Sequence, residues 1–274
     1  MEREKFSVAM CVYGGDRPEW FQAAVNSVLN QTVQPDEIVL VVDGPVPEAL
    51  DAVIGGVEAQ NRVQVVRFAE NQGHGNARRE SLRHCSHDLV ALMDADDLSL
   101  PDRFEKQLEK FRMEPDLDIV GGNIAEFIGT PERIVGKRLV PETDGAIKEY
   151  MKTRCPMNQV TVMFRKSSVE RVGGFIDWYC EEDYYLWLRM SLANMRFANM
   201  PDLLVHVRVG EDMYRRRGGW KYFKSEAKLQ RYMLDNCVIG VGTWLTNVGK
   251  RLIVQVLLPN RLRGWVFQKF AREK

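Results

Sequence analysis

The sequence predicts an α/β fold, a mainly parallel Rossmann-like sheet flanked by helices, with a helical extension at the C-terminal end. Three observations lead there. Short, continuously apolar runs alternate with stretches of helical period, and strands apolar on both faces belong to a sheet covered on both sides. Each run stops at a polar or glycine-bearing turn. Several of those turns carry carboxylates, and ligands of such sheets bind beyond the carboxyl ends of the strands.

Taken in order, residues 6–13, Phe-Ser-Val-Ala-Met-Cys-Val-Tyr, form a buried first strand punctuated by Gly14 and Gly15. Pro18 opens a helix whose apolar positions Phe21, Ala24, Val25, Val28 and Leu29 keep three-to-four spacing. A second strand, 37–42, closes at Asp43-Gly44-Pro45, followed by a helix around 47–59 and a strand at 63–68. A glycine-containing turn (71–75) leads to a helix through Cys85 and a strand at 88–93, after which Pro101 suits a first helical turn. Beyond Phe127 the pattern loosens, and residues 129–157 read as a long connection near the site. A strand at 160–164, a short helix at 167–172 stopped by Gly173-Gly174, a helix from about 182 and one or two strands within 196–209 follow. From Gly219 the sequence is helical and basic.

Composition narrows the function classes. Lys plus Arg (38) equals Asp plus Glu (38), so the bulk charge argues against nucleic acid as a partner. Five scattered cysteines without a CxxC read as reduced thiols of a cytoplasmic protein, and the N-terminus shows no signal peptide. No run of about 20 uncharged apolar residues exists; the nearest, Val238–Leu258, is broken by Lys250 and Arg251.

The chemistry concentrates in a few places. Asp94, Asp96 and Asp97 end an apolar strand, and carboxylates this crowded demand a cation or protonation. Mg²⁺ or Mn²⁺ shared with substrate phosphates would satisfy them; a solvated loop capping the next helix is the plainer alternative. Tyr13 and Asp43 fall at the same predicted sheet edge, where Asp43 is either a nucleobase contact or a turn residue. Gly73, Gly75 and Arg78 precede or open a helix, an arrangement that admits a phosphate without matching a P-loop. Glu181-Glu182-Asp183, next to Trp178 and Tyr179, reads either as helix capping or as a general base beside a sugar-stacking surface. His74, His84 and His87 read as surface or turn residues, and His206 as a strand residue that is packed or faces the site.

Taken in order, these motifs resemble glycosyltransferase family 2, the inverting enzymes of the GT-A fold. The matching pieces are 7–13, Pro-Asp-Glu-Ile-Val-Leu-Val-Val-Asp-Gly at 35–44, Asn-Gln-Gly-His-Gly-Asn-Ala-Arg at 71–78, Leu-Met-Asp-Ala-Asp-Asp at 92–97 with the following Pro-Asp-Arg-Phe, and Glu-Glu-Asp-Tyr-Tyr-Leu-Trp-Leu-Arg at 181–189. Residues 207–224 look like the bacterial subgroup that builds exopolysaccharide, capsule or O-antigen units, as in amylovoran biosynthesis. The resemblance implies a nucleotide-sugar donor, with a UDP-sugar favoured, and a saccharide or polyprenyl-linked saccharide acceptor. It implies nucleotide-sugar contacts at Tyr13, Asp43, Arg78, Asp94 and Asp96, with Mn²⁺ or Mg²⁺ at Asp96 and Asp97 and Asp183 as catalytic base. Where many relatives carry a histidine after the strand arginine, this chain has Gly210, so a histidine ligand would fall to His206. The expected division is a catalytic domain at 1–215, donor-binding to about 127 and acceptor-side from 128, with an extension at 216–274. A sugar nucleotidyltransferase is the enzymatic alternative, but Tyr-Gly-Gly-Asp-Arg-Pro after the first strand is a poor triphosphate grip. A non-catalytic nucleotide-sugar-binding protein would have dispensed with one acidic cluster.

The extension alternates apolar residues, Trp244 and Trp265 among them, with Lys250, Arg251, Arg261, Arg263 and Lys269. This fits either an interfacial helix on an anionic, cytoplasmic membrane surface or a helix packed on the main domain.

Overall fold

A computed structural model describes residues 3–210 and 218–258. Its first half follows the predicted alternation: β1 (Phe6–Tyr13), α1 (Pro18–Leu29), β2 (Glu37–Asp43), α2 (Glu48–Glu58), β3 (Val63–Arg67), α3 (His74–His84) and β4 (Leu89–Met93). These four strands pair in parallel in the order β3-β2-β1-β4. The alternation along β1 divides the core. Phe6, Val8, Met10 and Val12 pack with α1 and α2, while Ala9 joins the layer on the opposite face.

The second half extends the sheet with β5 (Leu98–Ser99), β6 (Ile119–Phe127), β7 (Ile134–Arg138), β8 (Met163–Arg165) and β9 (Phe197–Arg208), giving the order β3-β2-β1-β4-β8-β6-β9-β5. β8 runs antiparallel to both β4 and β6, whereas β6 and β9 form a long parallel pair. Most of the paired length is therefore parallel, as expected. α4 (Arg103–Met113) lies on the α1 side, with Phe104 and Phe111 in that core. α6 (Lys166–Arg171) and α7 (Glu182–Leu192) cover the opposite face.

Several local expectations change. The stretch 129–157 is not a bare connection: it contains β7 and α5 (Asp144–Tyr150). Its strand is short and exposed and leans on β6 for partners, while α5 is stopped after seven residues, so neither leaves a clear period in the sequence. Pro101 sits in a turn, and α4 begins two residues later. The strand expected at 160–164 is split into a 3-10 turn, Gln159–Thr161, and β8.

The C-terminal helices α8 (Trp220–Asp235) and α9 (Val241–Leu252), followed by a π turn at Ile253–Leu257, pack on the catalytic body. Leu229, Met233 and Ile239 are buried among α5 and α7 residues, and Trp244 leans on the same cluster. Of the two readings of the extension, packing on the main domain holds for the described part; residues 259–274, with Arg261, Arg263, Trp265 and Lys269, lie outside the described residues. No described helix is long and apolar enough to cross a membrane.

Candidate active site

The parallel half delivers its carboxyl-end residues to one edge. Tyr13 stands in register with Asp43, and β4 ends at Met93, one residue before Asp94. Tyr13 is 46% exposed, whereas Asp43 is buried.

Asp43 fastens the glycine turn. Its Oδ1 accepts from the Gln72 N–H at 2.7 Å and its Oδ2 from the Gly73 N–H at 3.1 Å, while its carbonyl accepts from the Asn71 amide at 3.1 Å. Gly44 adopts φ +87°, and a Cβ there would lie 2.6 Å from the Asn71 nitrogen, so the close approach of the two turns requires glycine. The turn role expected of Asp43 is thus occupied; each oxygen keeps a further lone pair toward the edge.

From this turn α3 carries Arg78 under the acidic cluster. Arg78 is fully buried, pairs through Nη2 with Asp94 Oδ1, and donates from Nε to His74 Nε2 at 3.2 Å. Its Nη1 is a buried donor with no partner among the described residues. His74 in turn meets Glu182 Oε1 through Nδ1 at 2.8 Å. A continuous polar chain, Asp94–Arg78–His74–Glu182, therefore joins the two acidic clusters that the sequence places 84 or more residues apart. His74, expected as a turn or surface residue, is indeed exposed, at the first position of α3, and from there it bridges Arg78 and Glu182.

Asp96 and Asp97 lie where β9 crosses. Asp97 is buried, and its Oδ1 accepts from the Arg208 N–H at 2.8 Å; the Asp96 carbonyl accepts from Arg208 Nε at 3.1 Å. The Arg208 guanidinium is held between the rings of Trp20 and Phe127, each 4.6 Å away. Burial, followed by the charges of Asp96 and Asp94, pushes the Asp97 carboxyl well above the usual carboxylate range. Asp16, not singled out from sequence, belongs to the same group: burial and then repulsion from Asp96 and Asp94 raise it to about 6, against the lowering effect of its bond from the Tyr13 N–H. The available signal was its position three residues past the end of β1, at the edge already marked by Tyr13 and Asp43.

His206 lies on the same strand as Arg208, two residues before it. It pairs with Leu98 across β5, tilts against Phe127 at 6.4 Å, and has Glu132 as its charged neighbour, with burial lowering its pKa. Among the described residues no three His, Cys, Asp or Glu side chains converge as a preformed metal cage. The oxygen-only pair Asp96 and Asp97, the latter raised by burial and then by the charges of Asp96 and Asp94, nevertheless suits a hard divalent ion that would take most of its shell from phosphates and water.

The second cluster caps α7. Asp183 is half-buried, its Oδ1 accepts from the Tyr184 N–H at 2.6 Å, and its Oδ2 faces the Cys155 thiol at 3.8 Å. Burial and then the neighbouring Glu182 charge raise Asp183 to about 6, offset by the Tyr184 N–H and by Arg138. Glu181 is turned the other way, into the C-terminal helices beside Tyr222, Glu226 and Arg251, and is pushed well up by burial. The three adjacent carboxylates thus face three environments: Glu181 the C-terminal helices, Glu182 the His74 ring, and Asp183 a half-buried position beside Cys155.

Against known proteins, the family model for glycosyl transferase family 2 matches residues 7–173, more than half of the chain. The chain belongs to glycosyltransferase family 2. A relative from Erwinia amylovora, the amylovoran biosynthesis glycosyltransferase AmsE, is 39% identical over 84% of this chain and 85% of its own length. An Escherichia coli enzyme, UDP-Gal:alpha-D-GlcNAc-diphosphoundecaprenol beta-1,3-galactosyltransferase, is 35% identical over 98% of this chain and 97% of its own. Among solved structures, a mannosyltransferase from Pyrobaculum calidifontis in complex with GDP-Man and Mn²⁺ superposes with a TM-score of 0.63 at 14% identity, covering 96% of this chain and 72% of that one. The fold is therefore GT-A and the protein is a glycosyltransferase whose relatives serve bacterial surface polysaccharides.

Proposed function

We propose that this family 2 glycosyltransferase is a metal-dependent, inverting hexosyltransferase that moves a sugar from a nucleotide-sugar donor, with a UDP-sugar favoured, to a lipid-linked saccharide. The observation that carries this reading is the polar chain from Asp94 to Glu182, which sets an edge of acidic and basic groups beside a carboxylate of raised proton affinity. The relative that uses UDP-Gal and a diphosphoundecaprenol-linked sugar supports the choice of donor and acceptor.

In this reading residues 1–127 handle the donor and 128–215 the acceptor. Tyr13 and Asp43 line the base pocket, and the buried Arg78, with its unpartnered Nη1, supports the diphosphate together with Asp94 and Asp96. Asp96 and Asp97 would hold Mn²⁺ or Mg²⁺, which when bound supplies positive charge against the departing nucleoside diphosphate. Asp183 accepts the proton of the acceptor hydroxyl as that oxygen attacks the anomeric carbon from the face opposite the leaving group, inverting it. Cys155 and the Tyr184 N–H keep the carboxylate aimed, and Glu182 is engaged by His74 and so leaves the proton transfer to Asp183. The site of action is the cytoplasmic face of the membrane, with the protein attached peripherally.

The test is a screen of UDP-, GDP- and dTDP-sugars with and without Mn²⁺, using a polyprenyl-diphosphate-linked sugar and a water-soluble analogue of it as acceptors. Transfer from one donor class, lost on chelation and yielding the inverted anomer, is expected. Metal-independent transfer or retention of configuration would overturn the reading.

A further inference from the structure

α9 holds the protein with polar side chains and leaves large apolar ones exposed. Toward the protein, beside Trp244 on the apolar cluster, Asn247 donates to the Lys152 carbonyl at 2.9 Å and to Gln230 Oε1 at 2.8 Å, and Arg251 donates to the Thr153 carbonyl at 2.9 Å and pairs with Glu226 at 3.0 Å. Gln255, in the turn that follows, continues this inner face toward Glu226 and is buried. The side chains turned outward include a row of large apolar ones at four-residue spacing, Val241 at 62% exposure, Leu245 59%, Ile253 53% and Leu257 65%, beside exposed Thr243, Thr246 and Lys250. In water a helix ordinarily buries its apolar positions. Exposed large apolar side chains gathered along one helix mark a place where the protein meets something other than water.

What surrounds it is indicated by the neighbouring helix. The Gly219 N–H donates to the Gln255 carbonyl at 2.9 Å, which sets the start of α8 against the end of the apolar face. There Trp220 is 59% exposed, and Lys221, Lys224 and Lys228 follow at three- and four-residue spacing, all exposed, on one side of α8. Lys250 adds an exposed cation on α9 itself. An apolar stripe edged by an interfacial tryptophan and a row of lysines complements an anionic lipid surface, with acyl chains under the stripe and headgroup phosphates at the ammonium groups. A protein partner would have no need of a lysine row unless acidic, and a second copy of this face would oppose lysine to lysine.

We propose that α8 and α9 together form the docking surface of this protein on an anionic bilayer, with Val241, Leu245, Ile253 and Leu257 entering the interface beside Trp220 and Lys221, Lys224 and Lys228 meeting headgroup phosphates. The surface is tied to the catalytic base. Lys221 and Lys228 lie over the rings of Tyr179 and Trp178 at 4.0 and 4.2 Å, Ser225 donates to the Tyr179 carbonyl at 2.6 Å, and Trp178 donates to the Ser225 carbonyl at 3.3 Å. The loop entering Asp183 is thus fastened to the membrane-facing helix. The assignment deepens the proposed use of a lipid-linked acceptor and rests on that reading for its purpose, though not for its geometry.

The experiment uses the full chain in vesicle co-sedimentation, with phosphatidylglycerol-containing and pure phosphatidylcholine vesicles. Wild type is expected to pellet with the anionic vesicles and far less with the zwitterionic ones. Leu245→Glu with Ile253→Glu is expected to reduce that binding about tenfold or more, and Lys224→Glu with Lys250→Glu to reduce it and flatten its salt dependence. All these positions face outward, so unchanged thermal melts should accompany the loss. Turnover on the water-soluble acceptor should be retained while turnover on acceptor in vesicles falls. Wild type that ignores anionic vesicles, or apolar-face variants that bind as wild type does, would overturn the assignment. So would a face that instead holds two copies together, seen as a wild-type dimer converted to monomer by Leu245→Glu with Ile253→Glu without change in vesicle binding. Failure of the enzymatic reading is separate: it would show as absence of transfer to either acceptor.

Discussion

The two acidic clusters, alike in sequence, are treated oppositely by the fold. Asp94, Asp96 and Asp97 sit at the end of a central strand, compressed against one another and answered by positive groups: Arg78 beneath Asp94, and Arg208 wrapped around the 96–97 turn. Glu181, Glu182 and Asp183 open a helix and are dispersed, one into the C-terminal helices, one onto His74 and one left accessible. The first arrangement concentrates charge and calls for a cation; the second isolates a single carboxylate and raises its affinity for a proton. In the proposed reaction the first would hold the cation that meets the leaving diphosphate and the second would take up the proton, and the Arg78–His74 pair links the two.

Removing the isolated carboxylate should break the comparison most. Asp183→Asn is expected to lower kcat by about a thousandfold or more, within the range for loss of a general base, while donor affinity measured by calorimetry stays within about twofold. The same residue sets a pH limb. Raised to about 6, Asp183 is protonated below that pH and then accepts no proton, so kcat/KM should climb with pH through about 6 and level off above it. Turnover by Asp183→Asn near the wild-type rate would dissolve the distinction between the clusters. Asp97→Ala should act on the other side, abolishing the Mn²⁺-dependent part of donor binding; equal donor affinity with and without Mn²⁺ in wild type would count against it.

The smallest effect tests the bridge. His74→Ala breaks the contact with Glu182 and frees Arg78 Nε, and a loss in kcat of about tenfold with little change in donor affinity is expected, as misplacement of reacting groups produces. His74→Gln, which retains a polar group toward Glu182, should recover part of it. A uniform fall in thermal stability without a change in kcat would reassign His74 to a structural role.

The apolar strand runs ending in Tyr13, Asp43 and Asp94 were legible because a strand buried on both faces needs unbroken apolar sequence, and its polar terminus marks the edge. The Asp94–Asp97 and Glu181–Asp183 clusters stood out because like charges rarely crowd without cause. Asp16 and His74 did not stand out, since a single Asp or His in a turn has many ordinary explanations; His74 meets Glu182 only once α3 packs on β1 and β2, and Asp16 meets Asp94 and Asp96 only once β1 and β4 lie side by side. β7 and α5 escaped because they are short and lean on β6 and the core for their order.

By itself, then, the sequence determined the parallel sheet, its functional edge and the family, because burial and charge crowding are written in local composition. Tertiary structure alone decided which carboxylate of each cluster faces which neighbour, that Arg78 and His74 join the clusters, and that α9 turns Asn247 inward and Leu245 outward. Those outcomes depend on contacts between residues far apart in the chain, and a helix's periodicity says that it has two faces without saying which of them meets the protein.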